Sequence, residues 1–318
     1  MTFSARRMLV AGAAAASMAL TPAAAGAQEF INILTGGQAG VYYPLGVALE
    51  KVFADNIEGA RPSVQSTKAS VENLNLLQDG RGEIAFSLGD SVKAAGEGDE
   101  EAGFAQPLDK LRVIAAIYPN FVQIVASAES GIESLDDLKG KALSVGAPRS
   151  GTELNARQIF QAAGMSYDDL GKVEYLPFAE SVELMKNRQI DATLQSAGLG
   201  VASIRDLASA IPIKVVAVPQ EIAETLGAPF VSEPIPAGTY EGQDEDVQTV
   251  AIVNYLVTHS DVSDDLAYAM TKAIFENLDQ LKAAHAAANA ISIETAAEGA
   301  PVPLHPGAER YYKEAGAL

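Results

Sequence analysis

The chain's most chemically suggestive stretch is Thr35-Gly36-Gly37-Gln38-Ala39-Gly40-Val41-Tyr42-Tyr43-Pro44-Leu45-Gly46, which directly follows the apolar run Phe30-Ile31-Asn32-Ile33-Leu34. A strand that enters a glycine turn and leaves as a helix exposes free backbone N–H groups at the positive end of the helix macrodipole, a place suited to an anion. The spacing is not GxGxxG, and no Gly-Lys-Ser/Thr ending follows, so the chemistry expected is capture of a small anion rather than of a nucleotide. A second small-residue turn, Gly146 to Gly151, leads into another helix and brings the hydroxyls of Ser150 and Thr152. Two turns inside that helix, Arg157 is placed either to grip a carboxylate with two parallel bonds or to pair with Glu153 four residues earlier.

Signals for catalysis are sparse. His259, His285 and His305 all fall in the last fifth of the chain. The first two are expected as surface residues of helices without an i, i+4 partner, and the third as the anchor of a turn between Pro303 and Pro306. The sequence has no HExxH, no calcium-loop pattern, no Gly-x-Ser-x-Gly and no cysteine. The acidic run Glu97-Gly98-Asp99-Glu100-Glu101 alternates too loosely for a cation cage and is expected to be a solvated loop. No cofactor, metal site or catalytic residue is expected.

The elements that would hold these turns occur twice in the same order. Strands are expected at Phe30 to Leu34, Arg61 to Thr67, Glu83 to Ser87 and Leu111 to Ile117, with helices at Tyr43 to Phe53 and Ser70 to Leu77. The order resumes with strands at Ala142 to Val145, Lys172 to Leu176, Asp191 to Gln195 and Ile213 to Val218, and helices at Thr152 to Ala163 and Ser181 to Lys186. Ser70-Val71-Glu72 is echoed by Ser181-Val182-Glu183. Two βαβαβ units predict an α/β protein of two lobes, each a mainly parallel sheet flanked by helices. Beyond Val218 the chain is expected to be loop-rich, then helical from about Asp246 to His259 and from Ser263 to Ala290. Ligands of parallel sheets sit beyond the carboxyl ends of the strands. That rule selects Thr35 to Tyr43, Ser66 to Asn73, Ser87 to Asp90, Tyr118 to Phe121, Pro148 to Asn155, Phe178 to Val182 and Gln195 to Ala197, segments rich in hydroxyls, amides, glycines and tyrosines.

The first 27 residues read as an export signal: Arg6 and Arg7, an uncharged apolar run from Met8 to Leu20, and the small-residue site Ala25-Gly26-Ala27. General secretion fits this segment better than the twin-arginine route. The mature protein is expected to begin near Gln28 and to be a periplasmic, soluble, disulfide-free monomer. The 22 basic and 41 acidic residues give a net charge of −19, and loss of the two arginines with the signal would make it −21. Such a surface argues against nucleic acid and anionic membranes, and an anionic ligand would have to be captured by local donors.

Four ordered motifs covering the expected mature chain resemble the TAXI family of TRAP-transporter solute-binding proteins. They are Thr35-Gly36-Gly37-x-x-Gly40-x-Tyr42-Tyr43-Pro44-x-Gly46, Ser150-Gly151-Thr152-x-x-Asn155-Ala156-Arg157, Ile235-Pro236-Ala237-Gly238-Thr239-Tyr240 and Pro303-Leu304-His305-Pro306-Gly307-Ala308-Glu309-Arg310-Tyr311-Tyr312. The resemblance implies a type II-like periplasmic-binding fold with two crossovers, and a membrane permease partner of TRAP type, with fused subunits. It also implies a glutamate- or glutamine-like ligand or a related organic anion. The corresponding division is residues 28–121 with 231–318 in one lobe and 122–230 in the other. Lys68-Ala69-Ser70 stands where Asn-Gly-Ser is common, Leu88 where a glutamine is frequent and Gln123 where a histidine occurs. The expected ligand-binding residues are Thr35, Gly36, Gly37, Gly40, Tyr42, Thr67, Ser70, Asn73, Asp90, Tyr118, Ser150, Gly151, Thr152, Asn155, Arg157 and Gln195. Tyr42, Tyr118 or Phe178 would cover the apolar part of the solute, and Asp90 would serve as a cap or hinge unless the solute carries an amine. A sensor subunit of a membrane kinase is the alternative on the same lobes, and a periplasmic enzyme the third.

Overall fold

A computed structural model describes residues 28–318; the expected signal peptide lies outside the described residues. The first βαβαβ unit comprises β1 (Glu29–Leu34), α1 (Tyr42–Asn56), β2 (Ala60–Gln65), α2 (Ser70–Gln78) and β3 (Ile84–Leu88). The chain continues through α3 (Gly89–Glu97) into the long strand β4 (Leu111–Ser127). The second unit repeats the pattern as β5 (Ala142–Ser144), α4 (Gly151–Ala162), β6 (Lys172–Glu174), α5 (Phe178–Lys186) and β7 (Ala192–Ala197). After α6 (Ala202–Ala210), β8 (Ile213–Val216), α7 (Gln220–Leu226) and β9 (Val231–Ile235), a second long strand, β10 (Val247–His259), precedes α8 (Asp264–Glu276), α9 (Leu278–Ala284) and α10 (Pro306–Ala315).

The sheet order β2-β1-β3-β10-β4-β7-β5-β6 makes the duplication spatial. In each unit the first strand lies between the second and third, and both triplets are parallel. They are not separate sheets. β10 and β4 pair antiparallel with each other and with the adjoining triplet strands, so one mixed sheet runs through both halves. Because β4 is antiparallel to both β10 and β7, the two triplets point towards each other. Leu88, at the end of β3, pairs with Asn254, and Ala197, at the end of β7, pairs with Phe121. Both carboxyl ends therefore arrive at the middle of the β4–β10 ribbon.

The segment expected to be helical from Asp246 to His259 is β10. Its Thr249-Val250-Ala251-Ile252-Val253 run is rich in β-branched residues, which favour a strand. A central strand covered on both faces also loses the polar alternation that would have marked it. His259 is correspondingly a buried strand residue rather than a surface one. The other long helix, from Ser263 to Ala290, is broken at Asn277, where φ is −129° and ψ 30°, and at His285. The expected pairing of Ser70 with Ser181 is also out of step: Ser70 opens α2, whereas Ser181 lies a turn inside α5, hydrogen-bonded to Ser144 at 2.7 Å.

Two of the four motifs fasten the fold. Tyr240 is buried, donates to Gln123 of β4 and accepts the Gly200 N–H at 3.1 Å. His305 caps α10 by accepting the Gly307 N–H through Nδ1, and its Nε2 lies 3.0 Å from the Val262 carbonyl. Tyr312 donates to the Ile114 carbonyl at 2.7 Å. Gly307 permits close approach of two helices, since a Cβ there would lie 2.2 Å from the Asp264 carbonyl oxygen and 2.7 Å from the Tyr268 nitrogen. Both neighbours are backbone and cannot rotate away. Gly307→Ala is expected to destabilise the protein by about 1–3 kcal/mol through overpacking, read as a lower thermal midpoint with native circular dichroism at 25 °C; an unchanged midpoint would show that α8 and α10 separate freely.

Candidate binding site

A cavity of about 280 Å³ lies where the two triplets meet. The turn after β1 contributes Gly36, Gly37 and Gly40, with Val41 and Tyr42 at the start of α1; the turn after β2 contributes Ser66 to Ser70. From the second unit come Ala147 and Ser150 to Thr152 after β5, and Pro177 with Phe178 after β6. Leu88, Asn120, Ser196 and Ala197 close the floor. All the triplet contributions lie at or beyond carboxyl ends, the placement that parallel topology provides.

Four helices, α1, α2, α4 and α5, begin at this cavity. The first N–H groups of a helix have no partner inside it, and the macrodipole places roughly half a positive charge there. The starts of α1, α2 and α5 carry no side-chain cap; Ser150 caps α4 by accepting the Glu153 N–H at 3.1 Å. The Ser70 hydroxyl oxygen accepts the Leu88 N–H at 3.1 Å. Thr152 is only 6 % exposed, yet its hydroxyl has no hydrogen-bond partner among the described residues. No aspartate, glutamate or histidine lines the cavity, and Lys68 is its one charged lining residue.

Polar residues in the wall and just behind it hold these donors in place. Asn73 donates to the Thr35 carbonyl at 2.7 Å and the Phe86 carbonyl at 2.9 Å, tying α2 to the ends of β1 and β3. The Thr67 hydroxyl lies 2.6 Å from Asn73 Oδ1 and accepts the Ala69 N–H at 2.9 Å. Beneath the floor, Tyr42 donates to Asn254, whose Nδ2 donates to Asn120 Oδ1 at 2.8 Å, and Asn120 donates to the Ser196 carbonyl at 3.0 Å. A further chain runs from the Ser196 hydroxyl to Asn155 at 2.7 Å, and from Asn155 Nδ2 to Asp90 at 2.8 Å. Burial pushes the Asp90 carboxyl up to about 7, opposed by hydrogen bonds from the Ser91 backbone and Asn155. Its Oδ1 has no partner among the described residues.

The two halves are closed on each other. The Glu72 N–H donates to the Arg149 carbonyl at 3.2 Å. A Cβ on Gly151 would lie 2.6 Å from Leu88 and 2.7 Å from the Ser70 hydroxyl, so glycine is what lets α4 approach α2. Ala69 and Arg149, at this contact, both have positive φ, 73° and 63°. With ψ at −150°, Ala69 occupies a region essentially reserved for glycine.

Residues 33–316 match the model of the NMT1-like family. The chain belongs to the NMT1-like family. Its structure is similar to that of a periplasmic transporter at 11% identity and TM-score 0.59, over 91% of this chain and 93% of that one. It is also similar to a putative L-cystine ABC transporter from Listeria monocytogenes at 18% identity and TM-score 0.52, over 80% and 94% of the two chains. A protein from Bordetella bronchiseptica RB50 matches at 17% identity and TM-score 0.52, over 91% and 81%. These likenesses establish the α/β fold, a curled mixed sheet flanked by helices.

In this NMT1-like chain several expected ligand residues stand behind the wall instead of on it. Arg157 faces away, its guanidinium bonded to Glu153 at 2.9 and 3.1 Å and to the Glu101 carbonyl at 2.7 Å. Tyr118 is fully buried in β4, packed near Gly198. Gln195 accepts from Ser203 at 2.6 Å, and Thr35 donates to the Gln65 carbonyl at 2.8 Å. Asn73, Asn155 and Asp90 act as the braces described above. Tyr42 does both jobs, lining the cavity while stacking on Phe86 with ring centroids 5.0 Å apart. Ser66, Lys68, Asn120 and Ser196 line the cavity without having been selected individually, though the segment rule carried them by their position after a strand; Pro177 lines it one residue before the segment that began at Phe178.

Two measurements test these braces. The folded Asp90 value lies above the ordinary 3.8, so its contribution to stability is fully present below about pH 4 and is lost as pH rises through about 7. Asp90→Asn should therefore match the wild type near pH 4 and gain on it steadily towards pH 8 in thermal midpoint; parallel curves would refute the assignment. Ala69→Gly should relieve a backbone strain of about 1–3 kcal/mol, partly offset by about 0.5–1 kcal/mol of added unfolded-state entropy. A raised midpoint is expected, and a lowered one would show that the Ala69 methyl matters more than its φ.

Proposed function

We propose that this chain is an extracytoplasmic solute receptor that holds a small organic anion or amino acid between its two lobes and delivers it to a membrane permease. The observation that carries the proposal is the convergence of four helix N-termini and the unpartnered Thr152 hydroxyl on one cavity with no acidic side chain in its wall. Such a wall stabilises negative charge by local donors despite the protein's net negative charge. It offers hydroxyls, amides and apolar groups and no general base, which suits retention of a solute rather than its conversion. The NMT1-like membership and the shared fold support a receptor, and the four motifs resembling TAXI proteins support a TRAP-type permease and a periplasmic location.

The contacting residues we propose are the N–H groups of Gly36, Gly37, Gly40 and Gly151, with the side chains of Tyr42, Thr67, Ser70, Ser150 and Thr152. Phe178 would cover the apolar part of the solute. The lobes we propose are residues 28–121 with 231–318 and residues 122–230, moving about segments near 122–127 and 217–230. Each lobe supplies half the donors, so closure completes the solute's hydrogen bonds and shifts the population towards the closed form.

A thermal-shift panel should respond to carboxylates and amino acids, with about 2.7 kcal/mol of stabilisation at one hundred times the dissociation constant. A response to sugars or divalent metals alone would refute the proposal. Thr152→Val should cost about 1–3 kcal/mol of binding while sparing the fold. Small-angle scattering should show a smaller radius of gyration at saturating solute; no change would exclude closure.

A further inference from the structure

We propose that Lys68 makes the cavity selective for a solute with a second anionic group and no ammonium. This inference rests on the anion-receptor function proposed above and deepens it. Eight of the twelve lysines lie in ion pairs, and of the other four, Lys68, Lys141, Lys214 and Lys282, only Lys68 lines the cavity. Lys68, exposed in the turn before α2, has no acidic partner within 4.0 Å among the described residues, although it lines the one cavity with converging helix starts. The nearest acid along the helix, Glu72, is engaged instead with the Lys68 backbone N–H at 2.6 Å.

The wall then divides by chemistry. Around Ser70, Ser150 and Thr152 the donors are neutral, and the Thr152 hydroxyl, unpartnered among the described residues on a side chain only 6 % exposed that lines the cavity, points to a ligand atom independently of the helix ends. At Lys68 the donor carries a full charge. Tyr42, Leu88, Pro177 and Phe178 line the same cavity and offer apolar surface for a short carbon chain. A solute with an anionic group at each end matches both donor sets.

An ammonium finds no counterpart. The acids in the first turns of α2 and α4 are committed, Glu72 to Lys68 and Glu153 to Arg157; Glu180, in the first turn of α5, is exposed and outside the cavity wall, and Asp90 lies behind the wall, bonded to Asn155. A cation inside would face positive helix ends without a carboxylate and would lose its hydration.

Calorimetry with chain-length-matched probes tests this: succinate, glutarate and adipate against aspartate, glutamate and 2-aminoadipate, and against butyrate, pentanoate and hexanoate. At least one dicarboxylate should bind about tenfold to a hundredfold more tightly than its amino and monocarboxylate counterparts, the range expected for a hydrogen bond to a charged group. Lys68→Met should lower dicarboxylate affinity at least tenfold more than monocarboxylate affinity, with native circular dichroism, and Lys68→Arg should keep most of the dicarboxylate advantage. If an amino acid binds as tightly as its dicarboxylate, or Lys68→Met weakens all probes alike, the selectivity is overturned while the anion receptor stands. If no carboxylate binds and a sugar or metal does, the receptor proposal falls and this inference with it.

Discussion

The antiparallel ribbon of β4 and β10 is the constraint on which the cavity depends. A parallel triplet presents its loops and helix starts at its carboxyl end, and one triplet alone forms an open edge. Because β4 is antiparallel to both β10 and β7, the first triplet and the second run in opposite directions along one sheet. Their carboxyl ends must then meet near Pro119 to Phe121. Two copies of the same supersecondary unit thereby come to face each other across one cavity. The cost is that polar backbone and side chains are buried at the crossing, and Asn120 and Asn254 meet that cost by bonding to each other and to the strand ends around them.

Local and global electrostatics oppose each other in this molecule. The surface carries a large negative excess, which at long range repels an anion, yet that field is screened beyond about 8–10 Å in physiological salt. Inside the cavity the relevant sources are helix ends and N–H dipoles within contact distance, where less screening intervenes. Placing acids in first turns is ordinarily stabilising, and Glu72 and Glu153 occupy such positions in α2 and α4. Both are turned aside by specific bonds, one to the Lys68 N–H and one to Arg157. The helices keep the capping benefit of an acid while the cavity keeps its positive character.

This division explains what was legible in the sequence. The glycine turn after β1 and the Ser150-Gly151-Thr152 turn were visible because local backbone chemistry identifies them, and the structure places both on the cavity. The doubled βαβαβ order was visible because each half has its own periodicity. β10 was not, since a strand buried on both faces has no alternation to display, and its identity is decided by pairing with β3, β4 and β9. Arg157 and Tyr118 belong to segments that do reach the cavity, but side-chain direction is set by tertiary partners: Glu153 and Glu101 draw one outward, and packing near Gly198 takes the other inward. Asn254 could not be selected at all, because its role exists only where two distant strands cross.

The closed contact between the halves is itself poised. Ala69 and Arg149 meet across it with left-handed backbones, and the bond from the Glu72 N–H to the Arg149 carbonyl lies between them. Asp90 adds a buried carboxyl with one oxygen unpartnered, held to the opposite half through Asn155. Each feature costs free energy in the closed form, and none is needed to build either triplet. A contact assembled from such elements holds less tightly than one of apolar side chains packed without strain. For the receptor proposed above, which would have to open again, that is an advantage. The solute's own hydrogen bonds to the helix starts can then decide the balance, whereas an unstrained, fully satisfied contact would keep the cavity shut whether or not it was filled.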